Sequence, residues 1–242
     1  MDDYFNLEYR NVHVWHAKLD LTSDTLKEYN ELLSDDEKKK SGKFRFLKDQ
    51  KKFIASRGIL RVLSGHYLNT DPEKIIFKYG EYGKPEFDFP TQLKFNISHS
   101  ENMIVLGFVK NDEIGVDVEK IKNNFNVIDI AQSFFSFEEI NKLESLPENE
   151  QCLAFYRCWT RKESFIKAKG SGLSFPLDSF TVSLDTNEDA ELLETKWNSS
   201  EKKSWKMFSY TPAENYIGAL SVQGDIRSVR YWNWEAFMGE NE

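Results

Sequence analysis

The residues best placed to do chemistry are three acids and a lysine. Asp117 and Glu119 lie in IGVDVEK (residues 114–120), and Glu163 and Lys167 lie in FYRCWTRKESFIKAKGSGL (residues 155–173). Side chains alternate along a strand, so Val116 and Val118 share one face while Asp117 and Glu119 share the other. Two such carboxylates repel, and away from open water they need a cation, a shared proton or a basic neighbour. On a helix, Trp159, Glu163 and Lys167 are four residues apart and fall along one face. Taken alone, the two acids are equally well read as a solvated strand end. Glu163 and Lys167 alone are an i,i+4 ion pair worth about a few tenths of a kcal/mol. If the helix approaches the strand, three carboxylates suit Mg²⁺, which keeps waters and takes its remaining ligands from phosphates.

A second group of residues suits anions. NISHS (residues 96–100) places Ser98 and His99 at a strand end, and YGKP places Gly83 and Lys84 on a glycine loop. Together they offer backbone amides, a hydroxyl and two cationic or hydrogen-bonding groups to a phosphate. From Lys38 to Arg61 there are ten Lys or Arg against the single Asp49. Such a concentration in an acidic chain points to a localised anionic partner, with a solvated helix face as the plainer alternative. The combination predicts a site for a ligand carrying several phosphates, with a metal beside one and Lys and His beside the others.

The elements that must hold these residues are legible in outline. With 242 residues, 40% hydrophobic and 30% charged, the chain is long enough for one large domain or two small ones. Residues 1–110 carry 18 basic and 17 acidic side chains and residues 111–242 carry 14 and 23, so the net charge of −8 sits in the second half. Val12–Leu19 alternates as an opening strand. SDDE at 34–37 reads as a helix start with Ser34 as N-cap, and a second helix should bury Phe53, Ile54, Ile59, Leu60, Leu63 and Tyr67 while turning its basic residues outward. Ile75–Lys78 reads as a short strand, residues 93–110 as two strands joined by a turn, and KNDEIG at 110–115 as the link into the acid-bearing strand. Helices are predicted over Val127–Phe135, Ser136–Ser145 and about Glu150–Ala168. Strands follow near Ser179–Leu184, Trp205–Tyr210, Tyr216–Val222 and Ser228–Trp232. Mixed elements in both halves imply α+β or α/β packing, with a boundary giving residues 1–112 and 113–242. No internal repeat is visible in the sequence. Cys152 and Cys158 are too far apart on a helix for a disulfide or a metal site. No apolar run could cross a bilayer, and the opening MDDYFNLEYRN is acidic and polar, so a cytoplasmic protein without a membrane partner is expected.

The order NISHS, GVDVE, then F-Y-x-x-W-x-x-K-E-S-F-x-K resembles the 4′-phosphopantetheinyl transferases of the larger, surfactin-synthetase-activating type, over roughly residues 34–222. That resemblance implies two similar α/β lobes related by a pseudo-twofold axis, with coenzyme A and Mg²⁺, or Mn²⁺ in its place, in the cleft between them. Asp117, Glu119 and Glu163 match the metal-binding acids, and Glu163 is the implied base. Lys167 matches the lysine on the phosphates. Ser98, His99 and Lys84 match residues holding the 3′-phosphate and its neighbours, Gly83 the loop passing the adenine, and Lys40 a basic residue near the 3′-phosphate. Two departures stand out. Some members have a lysine where this chain has Glu37 and a threonine where it has Phe53, so the 3′-phosphate cradle is expected to draw on Lys43, Arg45, Lys52 or Arg57. The implied partners are apo carrier proteins, the implied state a monomer, and nucleic acid is not among the partners. Two other readings stay open: a nucleic-acid-binding module built on KKKSGKFRFLKDQKK, and a Mg²⁺-dependent phosphohydrolase using water in the same site.

Overall fold

A computed structural model describes residues 4–186 and 190–240. Met1–Asp3 of the polar opening stretch, and residues 187–189, 241 and 242 of the second predicted half, lie outside the described residues. The chain runs β1 (Asn11–Lys18), α1 (Ser23–Leu32), α2 (Asp35–Ser41), α3 (Leu47–Leu68), β2 (Phe77–Tyr79), β3 (Pro85–Phe87), β4 (Leu93–Ser100) and β5 (Met103–Lys110). It continues through β6 (Ile114–Lys120), α4 (Val127–Phe134), α5 (Phe137–Glu144), α6 (Glu148–Lys169), β7 (Phe180–Val182), β8 (Leu192–Thr195), β9 (Trp205–Tyr210), β10 (Tyr216–Gln223), β11 (Ser228–Asn233) and α7 (Trp234–Glu240). This is the mixed α+β architecture expected. Among the described residues no helix is long and apolar enough to cross a membrane.

Two sheets dominate. The first has the order β11-β1-β5-β4 and the second β6-β10-β9. Within them lies a repeat of topology that the sequence hides: β1 pairs antiparallel with β5 and β5 with β4, just as β6 pairs with β10 and β10 with β9. Each half also contributes one 22-residue helix, α3 or α6, ended by a left-handed residue, Asn69 or Gly170. Glycine tolerates that conformation without a Cβ penalty, and asparagine is the next most tolerant residue.

The two halves are joined by burial. Val12, Val14, Met103, Val105 and Val109 from the first sheet share one apolar cluster with Val116, Val118, Leu220 and Val222 from the second. β5 is buried along nearly its whole length because its other face, Ile104, Leu106 and Phe108, packs under Ile59, Leu60 and Leu63 of α3. A third core gathers Phe155, Phe165 and Ile166 of α6 with Phe180, Trp205 and Met207.

Two expectations are corrected. β11 pairs in parallel with β1, from Asn11 opposite Ser228 to His16 opposite Asn233, and Phe237 of α7 packs on Trp15. Residues 228–240 therefore complete the first sheet, and the 112/113 boundary does not describe them. Nor do all basic residues of α3 face outward. Arg57 and Arg61 are buried because Glu37, itself buried, draws them in: Arg61 Nε donates to Glu37 Oε2 at 2.7 Å, and Arg57 Nε lies 3.8 Å from Oε1.

Candidate active site

The site forms where β4, the edge of the first sheet, runs beside β6, the edge of the second. No backbone ladder joins them. Alternate residues of β4 reach across instead: Val116 N–H donates to Asn96 Oδ1 at 2.9 Å, Ser98 Oγ to Asp117 Oδ1 at 2.9 Å, and Ser100 Oγ to Glu119 Oε2 at 2.6 Å. The period of two along the strand puts all three on one side, so NISHS is a polar seam between the halves. Sequence reasoning named Ser98 but missed Asn96 and Ser100, although the polar residues at every second position carried the signal.

α6 lies flat on β6 because of Gly115. A Cβ there would stand 2.0 Å from the Ser164 carbonyl and 2.3 Å from the Ala168 nitrogen, both backbone atoms that cannot give way. The close approach brings Glu163 and Lys167 beside Asp117. Ser164 Oγ meets Ser221 Oγ at 2.7 Å, tying α6 to β10, and Tyr210 Oη donates to the Asp117 carbonyl at 3.0 Å. Asp117 thus faces the helix and not the solvent, and Glu163 is buried with it: they are 3% and 8% exposed.

Asp117, Glu119, Glu163 and Lys167 line one cavity with Ser98, His99, Trp159, Phe134 and the stretch Phe175–Asp178. Lys167 Nζ donates to Asp117 Oδ1 at 2.6 Å and to Ser98 Oγ at 2.9 Å. Burial, then the negative charge of Asp117, pushes the Glu163 pKa up to about 7, despite the opposing pull of Lys167. Burial also raises Glu119. A carboxyl group that titrates near neutrality in a cleft is suited to accept a proton.

A second cavity adjoins the first through the shared residues His99 and Lys167. Its wall includes Lys40, Phe44, Phe53, Arg57, Tyr82, Gly83 and Lys84. Lys40 Nζ lies 5.6 Å from the ring centres of both Phe53 and Tyr79, and the Arg57 guanidinium stacks against the same two rings. Arg57 Nη1 is buried and without a hydrogen-bond partner. The His99 pKa is lowered, first by burial and then by the charge of Lys167. Gly83 sits at φ 79° with open space where a side chain would be, so the loop presents bare backbone to the cavity.

Lys84 borders the same cavity and also reaches the second half. Its ammonium donates to the Ala168 carbonyl at 3.1 Å and lies 3.5 Å from Glu113 Oε2. There it neutralises the exposed carbonyl end of α6 and ties the glycine loop to the second half. Burial lowers its pKa. Lys43, Arg45 and Lys52 do not line this cavity, whereas Arg57 does.

The donor set suits a hard divalent cation. Asp117 Oδ2 and Glu163 Oε1 are buried carboxylate oxygens with no hydrogen-bond partner, and both side chains line the same cavity. Among the described residues no three His, Cys, Asp or Glu are gathered into a group that could hold an ion as they stand. Lys167 supplies the positive charge between the acids instead.

Comparison with known proteins agrees over both halves. The family model described as the 4′-phosphopantetheinyl transferase superfamily matches residues 113–221, and one described as 4′-phosphopantetheinyl transferase, N-terminal, matches residues 18–110. The 4′-phosphopantetheinyl transferase HetI of Nostoc sp. is 30% identical over 226 residues, covering 92% of each chain. The 4′-phosphopantetheinyl transferase Sfp of Bacillus subtilis is 34% identical over 164 residues, covering 68% of this chain and 72% of that protein. AcpT of Salmonella typhi, described in the same words, is 40% identical over 110 residues, 46% of this chain and 56% of its own.

Proposed function

The chain belongs to the 4′-phosphopantetheinyl transferase superfamily, and we propose that it moves the phosphopantetheine arm of coenzyme A to a serine of an apo carrier protein of fatty acid, polyketide or peptide synthesis, releasing adenosine 3′,5′-bisphosphate. The observation that carries this reading is the pair of adjoining cavities, one lined by acids and the other by cations, sharing His99 and Lys167.

In this reading the cationic cavity takes the nucleotide end. Arg57 Nη1, Lys40 and His99 meet the 3′-phosphate, and the bare loop at Gly83 passes the adenine. Lys167 contacts the pyrophosphate and steadies charge on the leaving bisphosphate. Bound at Asp117, Glu119 and Glu163, Mg²⁺, or Mn²⁺ in its place, would neutralise pyrophosphate charge. Glu163 accepts the serine proton as the hydroxyl oxygen attacks the pantetheine-side phosphorus and the bond to the adenosine 5′-phosphate breaks. Trp159 packs between Phe134 and Phe155, with ring centres at 5.6 and 6.0 Å, and walls the acid cavity. Phe125, Phe134 and Phe137 are exposed around α4, Phe134 lining that cavity, and form the candidate docking face for the carrier. The enzyme would act as a monomer in the cytoplasm.

The test is the intact mass of several apo carriers mixed with the protein, coenzyme A and Mg²⁺. One added arm on any of them is the expected result. Unmodified carriers together with steady release of the bisphosphate from coenzyme A alone would replace the transferase reading with hydrolysis.

A further inference from the structure

Lys167 holds two positions' worth of connections. Its ammonium sits on Asp117 Oδ1 and Ser98 Oγ, while its side chain borders both the acid cavity and the cationic cavity. The same Asp117 is an expected metal ligand, and its other oxygen is buried without a partner. An ammonium and a divalent cation on one carboxylate repel strongly in a site shielded from water.

We propose that Lys167 is the resident counter-ion of Asp117, and that a divalent cation gains the carboxylate only as an anionic phosphate draws the ammonium away. Cation and phosphate ligand then bind cooperatively, because each favours the same displaced position of one side chain. The coupling is reciprocal: a ligand that removes Lys167 from Asp117 strengthens cation binding by the factor through which the cation strengthens its own. It follows that the free protein holds divalent cations weakly. The proposal rests on the reading of Asp117 as a metal ligand and of Lys167 as a phosphate contact.

The geometry permits the exchange without refolding. The Lys167 side chain is 30% exposed and Asp117 4%, so the lysine can move while the carboxylate stays fixed. Asp117 is held in place by Ser98 Oγ, and its backbone by Tyr210 Oη.

Binding of Mn²⁺, followed by the electron paramagnetic resonance signal of the free ion, tests this without any turnover. Lys167→Met keeps the aliphatic stem and removes the charge. In the absence of nucleotide the variant should bind Mn²⁺ at least about tenfold more tightly than the parent. Addition of coenzyme A should tighten Mn²⁺ binding in both proteins, since its phosphates are themselves ligands, but by a factor at least about tenfold larger in the parent than in the variant. Equal Mn²⁺ affinity of the two proteins without nucleotide, or an equal coenzyme A effect in both, would overturn the exchange. Asp117→Asn should abolish the tight binding in either background. Binding that survives this change lies elsewhere and overturns the metal assignment itself, a result separable from failure of the exchange alone.

Discussion

In the first half Ser34 caps α2 and Glu37 closes the capping box; in the second Ser136 caps α5 and Glu139 does the same. Each glutamate then takes a buried cation from the long helix: Arg61 at 2.7 Å, and Lys162 at 2.8 Å. Each cation also grips the chain that follows its helix. Arg61 donates to the Pro72 and Ile75 carbonyls, both at 2.9 Å, and Lys162 to those of Leu177 and Phe180, at 2.8 and 2.6 Å. One scaffold is thus built twice. The halves part company around these anchors. Four residues earlier the first half has Arg57, whose free Nη1 borders the cationic cavity, where the second has the buried, neutral Cys158. One residue later the second half has Glu163 where the first has Val62. The anchor is common property, and charge of opposite sign was placed one turn before it or one residue after it.

The sharpest way to break this comparison is at the acid. Glu163→Gln should lower the rate of carrier modification by about 10³-fold or more, with coenzyme A binding weakened much less. Carrier modification at the parent rate would remove Glu163 from the base role. Next come the anchors. Glu139→Ala leaves Lys162 buried and unpaired, and Glu37→Ala does so to Arg61, so each should lose about 3–5 kcal/mol in urea unfolding. A loss under about 1 kcal/mol in one half alone would show that the anchors are not equivalent.

A third test uses pH. Glu163 binds its proton more tightly folded than unfolded, so its contribution is present at acid pH and is lost as pH rises from the ordinary carboxylate range through about 7. Without divalent cations, Glu163→Gln should therefore be more stable than the parent at pH 8, by about 2 kcal/mol, with the advantage vanishing near pH 4. Parallel stability profiles would mean that the acid is not strained in the folded state. The smallest effect is expected in the first half. Arg57→Ala should raise KM for coenzyme A about tenfold with kcat nearly unchanged, and should narrow the preference for coenzyme A over dephospho-coenzyme A. An unchanged KM would leave the 3′-phosphate to Lys40 and His99.

What the sequence made legible was local. Both capping boxes, the alternation in β6 and the four-residue stripe of Trp159, Glu163 and Lys167 follow from spacing within a few residues, and they identified the acid cavity. α1, β8 and α7 escaped notice: α1 buries only Leu26 and Tyr29, and β8 is four residues long. The burial of Arg57 and Arg61 escaped notice because it depends on a partner 20 or more residues away, here Glu37, which looked only like a cap. The ties of Lys84 to Ala168 and Glu113 were out of reach for the same reason, since only the fold brings the end of α6 near the glycine loop. The repeat was invisible because it lies in strand order and in buried ion pairs, while the residues performing each role differ between the halves.

Cutting the protein at the 112/113 junction would not release two free-standing modules. The upstream fragment would keep Trp15 in a sheet whose β1 flank lacks its rib, with a bare hydrogen-bonding margin open to other chains. A peptide spanning residues 228–240, added in trans, carries the strand that pairs along that margin.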